Sequence, residues 1–354
     1  MAKSSIKNTS NSESRPRVLC LDIMVGMAMV FVVLGHQSFD GAPMWYVNGM
    51  HEWIYRFHME VFVFLSAFLI RYSYKGVNSV KEYLAYVGKK LKKFFLPFLL
   101  VGIVVALAGA WSRGEDKTEL GGLMAQQLRQ LLLYPMQSEA SFLWYIYVLF
   151  GYYLVSPLVI RLPRWVKMVL CVLSMGLPLL RCSHFLGGYL FCKYSFFYLL
   201  GVICAEGTGE LKALKTWVLG LVSVPFVIWS VRYIWSRMNP EIGNSFVEVG
   251  PEGFDILSGC MALPFFYVCG RLIEKVGWLS AALSQISKDC FWIYLLQMFV
   301  AWGCMYVVLW INRPFPFALF LVISSVLCII APMGARWLSQ KLAMLHLPNQ
   351  KKKK

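Results

Sequence analysis

The chain has 354 residues, of which 58% are hydrophobic, 16% aromatic and only 15% charged, a composition too apolar for a water-soluble domain. Apolar windows of about 20 residues, enough to cross a hydrocarbon core of about 30 Å as helices, recur between residues 18 and 335, and their continuity excludes a barrel of alternating strands. The formal net charge of +16 therefore reports membrane topology rather than nucleic-acid binding.

Residues 1–14, rich in Ser, Asn and Lys, are expected to form a disordered tail. About ten spans follow, so the expected fold is an all-α polytopic membrane bundle, one transmembrane domain over residues 15–340 with a basic tail at 341–354. The first span runs from about Val18 to Phe39. It holds Asp22 and His36 and lacks a small-residue cleavage site, and so reads as a retained span rather than a signal peptide. After a turn at Gly41, Pro43 and Asn48, the second span covers Trp53–Tyr72. A basic segment, Arg71, Lys75, Lys81, Lys89, Lys90, Lys92 and Lys93, leads into the third at Phe94–Trp111. The longer polar loop Ser112–Ala140 carries an amphipathic surface helix over Leu120–Tyr134. The remaining spans are expected at Ser141–Ile160, Trp165–Leu180, Tyr189–Ala205, Thr216–Trp235, Phe254–Val268, Phe291–Ile311 and Phe317–Ala335. The ten cysteines lie almost wholly inside apolar runs without metal-ligand spacing. They read as packing residues, with no metal site and no disulfide expected, even for Cys182 and Cys192 near one outer loop.

An even number of spans puts both termini on one side of the membrane. The segments on that side hold 25 Lys and Arg residues against 8 on the other, so the positive-inside rule makes both termini cytoplasmic. Lys351–Lys354 then face solvent or anionic lipid.

Ionisable side chains inside spans are costly unless paired or hydrated, so each is a functional candidate. Asp22 and His36 would lie about 21 Å apart along a helix axis and about 40° apart around it, facing one interior path. Glu52, Arg56 and Glu60 follow at i, i+4 and i+8, a spacing that lets Arg56 pair with either carboxylate. His51 and His58, seven apart, share a face. A solvated outer edge is the alternative for Glu52 and Arg56, whereas His58 and Glu60 lie deeper. His36 ends an apolar run across a short loop from this cluster, and imidazole can take a proton from a hydroxyl attacking an activated carbonyl. Lys89, Lys90, Lys92 and Lys93 form a patch suited to a polyanionic nucleotide or to anionic lipid.

The blocks LDIMVGMAMVFVVLGH (residues 21–36), FHMEVFVFLSAFL (57–69), KKLKKFFLPF (89–98), FLWYIYVLFGYYLVSPL (142–158) and SKDCFWIYLLQ (287–297) resemble, in order, successive blocks of the acyltransferase-3 family. The resemblance is closest to its branch of fucose 4-O-acetylase-like sugar O-acetyltransferases. It implies a ten-helix enzyme of the bacterial cytoplasmic (inner) membrane. Such an enzyme takes an acyl group, usually acetyl, from cytoplasmic acyl-CoA, a donor substrate rather than a resident cofactor. The acceptor is a hydroxyl of a cell-surface or lipid-linked carbohydrate. His36 aligns with the family's catalytic base, Asp22 with its first-span acid, and His58 with the histidine of FHM. Lys90 and Lys93 align with a basic pair that contacts the phosphates of CoA; Lys89, Trp144 and Tyr145 complete the expected acyl-CoA site.

Four positions depart from the pattern: Val25 replaces a basic residue, Glu60 a proline, Ser66-Ala67 a Ser-Gly pair, and Gln297 a histidine. Arg56 or the lysine patch is the candidate substitute for the missing cation, and Glu60 is a candidate to orient or charge-stabilise an imidazole. The rival class is a transporter or flippase whose polar residues line a path, although no inverted repeat or matched pair of broken helices is visible. Acceptor choice is expected in the loops Ser112–Ala140 and Arg237–Gly253 and in the outer mouth of the bundle. Oligomeric state is not legible.

Overall fold

The computed structural model describes residues 17–37, 42–112, 120–180, 182–207, 216–239, 251–311 and 315–346. The tail expected at 1–14 and the lysines at the C-terminus lie outside these residues, as does most of the 237–253 loop. All regular structure among the described residues is helical. The α-helices are α1 (Leu19–Gly35), α2 (Glu52–Tyr55), α3 (His58–Tyr72), α4 (Val80–Lys90), α5 (Leu96–Ser112), α6 (Leu120–Leu133), α7 (Trp144–Arg161), α8 (Arg164–Ser174), α9 (Gly188–Glu206), α10 (Thr216–Met238), α11 (Pro251–Ile273), α12 (Gly277–Ile311) and α13 (Phe317–His346).

Among the described residues, eight helical segments are long and apolar enough to cross a membrane: Trp45–Tyr72, Val80–Ser112, Ser141–Arg161, Phe185–Glu206, Trp217–Met238, Asp255–Ile273, Gly277–Ile311 and Phe317–Leu342. They coincide with eight of the ten predicted spans. The other two are shorter helices: α1 has 17 residues, about 26 Å, and α8 has 11 residues. The amphipathic surface helix predicted at Leu120–Tyr134 is α6, which packs on α5 where Leu131 meets Gly102.

α1 is the axial element. It is buried along most of its length against α3, α11, α12 and α13, while α10 and α13 keep Trp217, Leu221, Val322 and Ile330 exposed for lipid. Small residues let the inner helices approach, as is common where no hydrophobic effect drives helices together. A Cβ on Gly26 would stand 2.2 Å from the Leu283 carbonyl oxygen of α12, and one on Gly201 of α9 would stand 2.4 Å from the Phe64 carbonyl oxygen of α3.

Two spans depart from regular α-helix where the polar residues lie. The second begins with a π-helical stretch, Trp45–His51, runs through α2, and breaks at Phe57 (φ −146) before α3. The third is continuous from α4, capped by Ser79 accepting from the Glu82 N–H at 3.2 Å, through a π-turn at Leu91–Phe95. The basic segment predicted to precede the third span is therefore its first helical part. π-turns inside α-helices are frequent at functional sites, and this one carries Lys92 and Lys93.

Candidate functional site

The end of α1 and the break in the second span bring the imidazoles together. His36 follows the last residue of α1, and its Nδ1 lies 2.7 Å from the Val32 carbonyl oxygen. His58 opens α3 with Nδ1 2.8 Å from the Ile54 carbonyl oxygen. A carbonyl oxygen can only accept, so Nδ1 carries the proton in each neutral ring and Nε2 keeps its lone pair. Tyr55 is the hub of the cluster, its ring centroid 4.4 Å from that of His51, 4.9 Å from that of His58 and 6.3 Å from that of His36.

A cavity of about 340 Å³ enters the bundle from the opposite, lysine-rich end. Arg17, Lys93, Lys288 and Arg336 supply its cations, and Val25, Phe62, Ser66, Tyr145 and Tyr294 line its interior. A second cavity of about 450 Å³ shares Lys93 and Tyr153 with the first and is lined by Lys75, Lys89, Lys90, Tyr74 and Tyr86. The Lys90 ammonium stands 3.8 Å from the centroid of the Tyr153 ring, a cation–π contact. Glu82, the acid of this second cavity, accepts from the Asn78 N–H at 2.7 Å. Phe62, Tyr145 and Tyr294 form a contiguous aromatic wall of the first cavity. Tyr145 bonds Ser66, its ring lies 5.0 Å from Phe62 and 5.4 Å from Tyr294, and the Tyr294 hydroxyl donates to the Phe142 carbonyl at 2.5 Å.

The structure gathers some of the predicted residues and not others. Lys89, Lys90, Lys93 and Tyr145 line the two connected cavities. Trp144 does not, because it stacks on Tyr194 at 5.1 Å. Asp22 lies at the lysine-rich end, paired with Arg17 at 3.2 Å and accepting from Ser287 at 3.4 Å; it can orient a cation of the cavity, not the His36 ring. Glu60 is 2% exposed and turns toward α9 and α11, where a Cβ on Gly259 would stand 2.7 Å from its own Cβ, and Oε2 has no hydrogen-bond partner among the described residues. The expected pairing of Arg56 with Glu52 or Glu60 is replaced. Arg56 meets Asp255 at 3.3 Å and donates to Tyr233 at 3.2 Å, while Arg237 holds Glu52 through Nε at 2.6 Å. The break after Arg56 destroys the i, i+4 register with Glu60, whereas Glu52, which precedes the break, is taken by Arg237 of α10.

Gln297, in place of the expected histidine, is buried beside Cys328, whose thiol donates to the Gln297 carbonyl at 3.3 Å and accepts from Gln37 at 3.4 Å. It thus ties α12 and α13 to the residue following His36. Sequence reasoning missed Tyr55, Lys193 and Asp255, and the cavity cations Arg17, Lys288 and Arg336. The signal for Asp255 was available: it is an acid at the membrane end of an apolar run, the situation that marks a functional candidate.

The family described as acyltransferase domain, the acyltransferase-3 family, matches residues 18–334, and the chain belongs to it. It is a multi-pass membrane acyltransferase. No curated protein and no solved structure matches the chain.

Proposed function

We propose that this chain moves an acyl group, acetyl by preference, from acyl-CoA at the lysine-rich end to a hydroxyl of a cell-surface or lipid-linked carbohydrate at the His36 end, in the cytoplasmic membrane of a bacterium. This places it with the fucose 4-O-acetylase-like sugar O-acetyltransferases, with both termini cytoplasmic. The phosphates of the donor bind Lys89, Lys90 and Lys93 with help from Arg17, Lys288 and Arg336, as point charges or forks according to residue type. Its pantetheine arm enters the first cavity toward Ser66 and Tyr145. His36 Nε2 takes the proton of the acceptor hydroxyl as that oxygen attacks the thioester carbonyl. The tetrahedral adduct then expels CoA thiolate, which recovers the proton from the imidazolium. His58, locked in the same tautomer, keeps the Tyr55 ring in place beside His36.

The observation that carries this reading is the pair of imidazoles with available Nε2 atoms in a bundle whose opposite end gathers Arg17, Lys93, Lys288 and Arg336 around one cavity, only Arg17 and Arg336 of them being paired with carboxylates, Asp22 and Asp289, among the described residues. The test supplies labelled acetyl-CoA on the lysine-rich side of vesicles holding the purified chain, with a glycolipid acceptor. Labelled ester on the glycan with equal release of free CoA is the expected result. Glycan that changes leaflet unmodified, with no CoA released, would instead establish the flippase.

A further inference from the structure

At the His36 end, a pocket of about 240 Å³ is lined by His51, Glu52, Tyr55, Arg56 and Asp255. It lies somewhat below the roughly 300–1,000 Å³ of pockets for drug-sized ligands, so it suits one monosaccharide ring rather than a glycan chain. We propose that this pocket is the acceptor site and that it takes an uncharged sugar through a diol. The proposal rests on the transfer reading above and assigns the residues that select its acceptor.

Three features point to that ligand. First, each carboxylate is fixed by cations from other helices. Asp255 is held by Arg56 at 3.3 Å and by Lys193 at 2.9 Å, and Glu52 by Arg237 at 2.6 Å. A carboxylate has about four lone-pair sites, so both retain acceptors for neighbouring sugar hydroxyls. Second, the lining itself carries two carboxylates, Glu52 and Asp255, against the single guanidinium of Arg56, which already shares its charge with Asp255 and donates to Tyr233, so an acidic or phosphorylated sugar meets more negative than positive charge at the walls. Third, Tyr55 is 44% exposed. It offers an aromatic face to the apolar side of a sugar ring while contacting His36 and His58, and so sets the bound hydroxyl near the proposed base. Gly259 helps to fix the pocket floor: a Cβ there would stand 2.6 Å from Phe197 and 2.7 Å from Glu60, and its absence lets α11 bring Asp255 up to Arg56.

Binding is measured by saturation-transfer NMR on the full chain in nanodiscs, with methyl fucopyranoside as the neutral probe and methyl glucuronopyranoside as the acidic one. The neutral glycoside is expected to bind saturably, and about tenfold or more weakly to Tyr55→Ala and Asp255→Asn, with acetyl-CoA affinity within about twofold of the parent. Retained acetyl-CoA binding shows that each variant is folded, and Tyr55→Ala covers the case in which Asp255→Asn is not. No saturable binding of the neutral glycoside, equal or tighter binding of the acidic one, or unchanged binding in both variants would overturn the site. Binding as expected without any acetyl transfer would keep the site and overturn the transfer reading.

Discussion

Replacing His36 with alanine tests the centre of the mechanism. General base catalysis contributes about 10²–10⁴-fold, or about 2.7–5.4 kcal/mol of barrier at about 1.36 kcal/mol per decade. The structural cost is smaller. The substitution deletes the Nδ1 bond to the Val32 carbonyl, worth about 0.5–1.5 kcal/mol net, and a ring contact to Tyr55 at 6.3 Å. Val25, which lines the donor cavity, is eleven residues back along α1, about 16 Å from the imidazole, so the KM for acetyl-CoA should not move. The assay is steady-state transfer of labelled acetyl by the reconstituted chain, with kcat and both KM values measured and acetyl-CoA binding as the folding control. A kcat reduced by about two to four decades at constant donor KM is expected. A variant that keeps more than about a tenth of its turnover would refute the assignment of His36 as base.

Lys93 lines both lysine-rich cavities. Lys93→Ala should raise the KM for acetyl-CoA about tenfold or more, the value of one charged hydrogen bond of about 1.5–3 kcal/mol, while leaving the KM for acetyl-pantetheine, which lacks the nucleotide, unchanged. An equal rise for both donors would remove the phosphate role. Glu206 joins Arg71 at 3.1 Å and the 2%-exposed Lys167, so Glu206→Ala leaves a buried ammonium unpaired. It should cost about 3–5 kcal/mol, read as earlier unfolding in detergent, whereas Arg71→Ala, which spares the Lys167 contact, should cost less; equal losses would contradict this. Cys182 and Cys192 are free thiols with sulfurs 2.8 Å apart, and mild oxidation should protect both from alkylation together.

How much was legible in the sequence differs between scaffold and site. Span length and hydropathy depend on local composition, so every predicted span coincides with a helix, and the cap at Ser79 follows from a Ser and a Glu three residues apart. The site depends on which helices meet. Glu52, Arg56 and Glu60 read as a ladder because their spacing assumes one unbroken helix; the break at Phe57 gives Arg56 to Asp255, nearly 200 residues later in the chain. Lys193, inside the predicted span Tyr189–Ala205, lies within α9 and holds Asp255 of α11. Spacing within one helix carries no information about such partners. The replacement of a Ser-Gly pair by Ser66-Ala67 is answered on another helix as well: a Cβ on Gly201 would stand 2.9 Å from the Ala67 Cβ, so the small residue that the contact needs lies on α9.

Under the proposed transfer, the aromatic wall of the lysine-rich cavity would set the condition for passage of the acyl group through the bundle. Phe62, Tyr145 and Tyr294 form it, and two side-chain bonds, Tyr145 with Ser66 and Tyr294 with the Phe142 carbonyl, hold it closed. At about 0.5–1.5 kcal/mol each, these bonds favour the closed arrangement by about 1–3 kcal/mol, or about 5–150-fold. A ligand opens such a layer only by binding the open arrangement more tightly. Under the proposed transfer acyl-CoA would have the means, because phosphates anchored at Lys93 would bring its arm to the same Tyr145 that closes the layer, both residues lining one cavity. Water has no such anchor. Under the proposed transfer, the same contacts would admit the thioester toward His36 and, with no donor bound, would hold the layer shut against water.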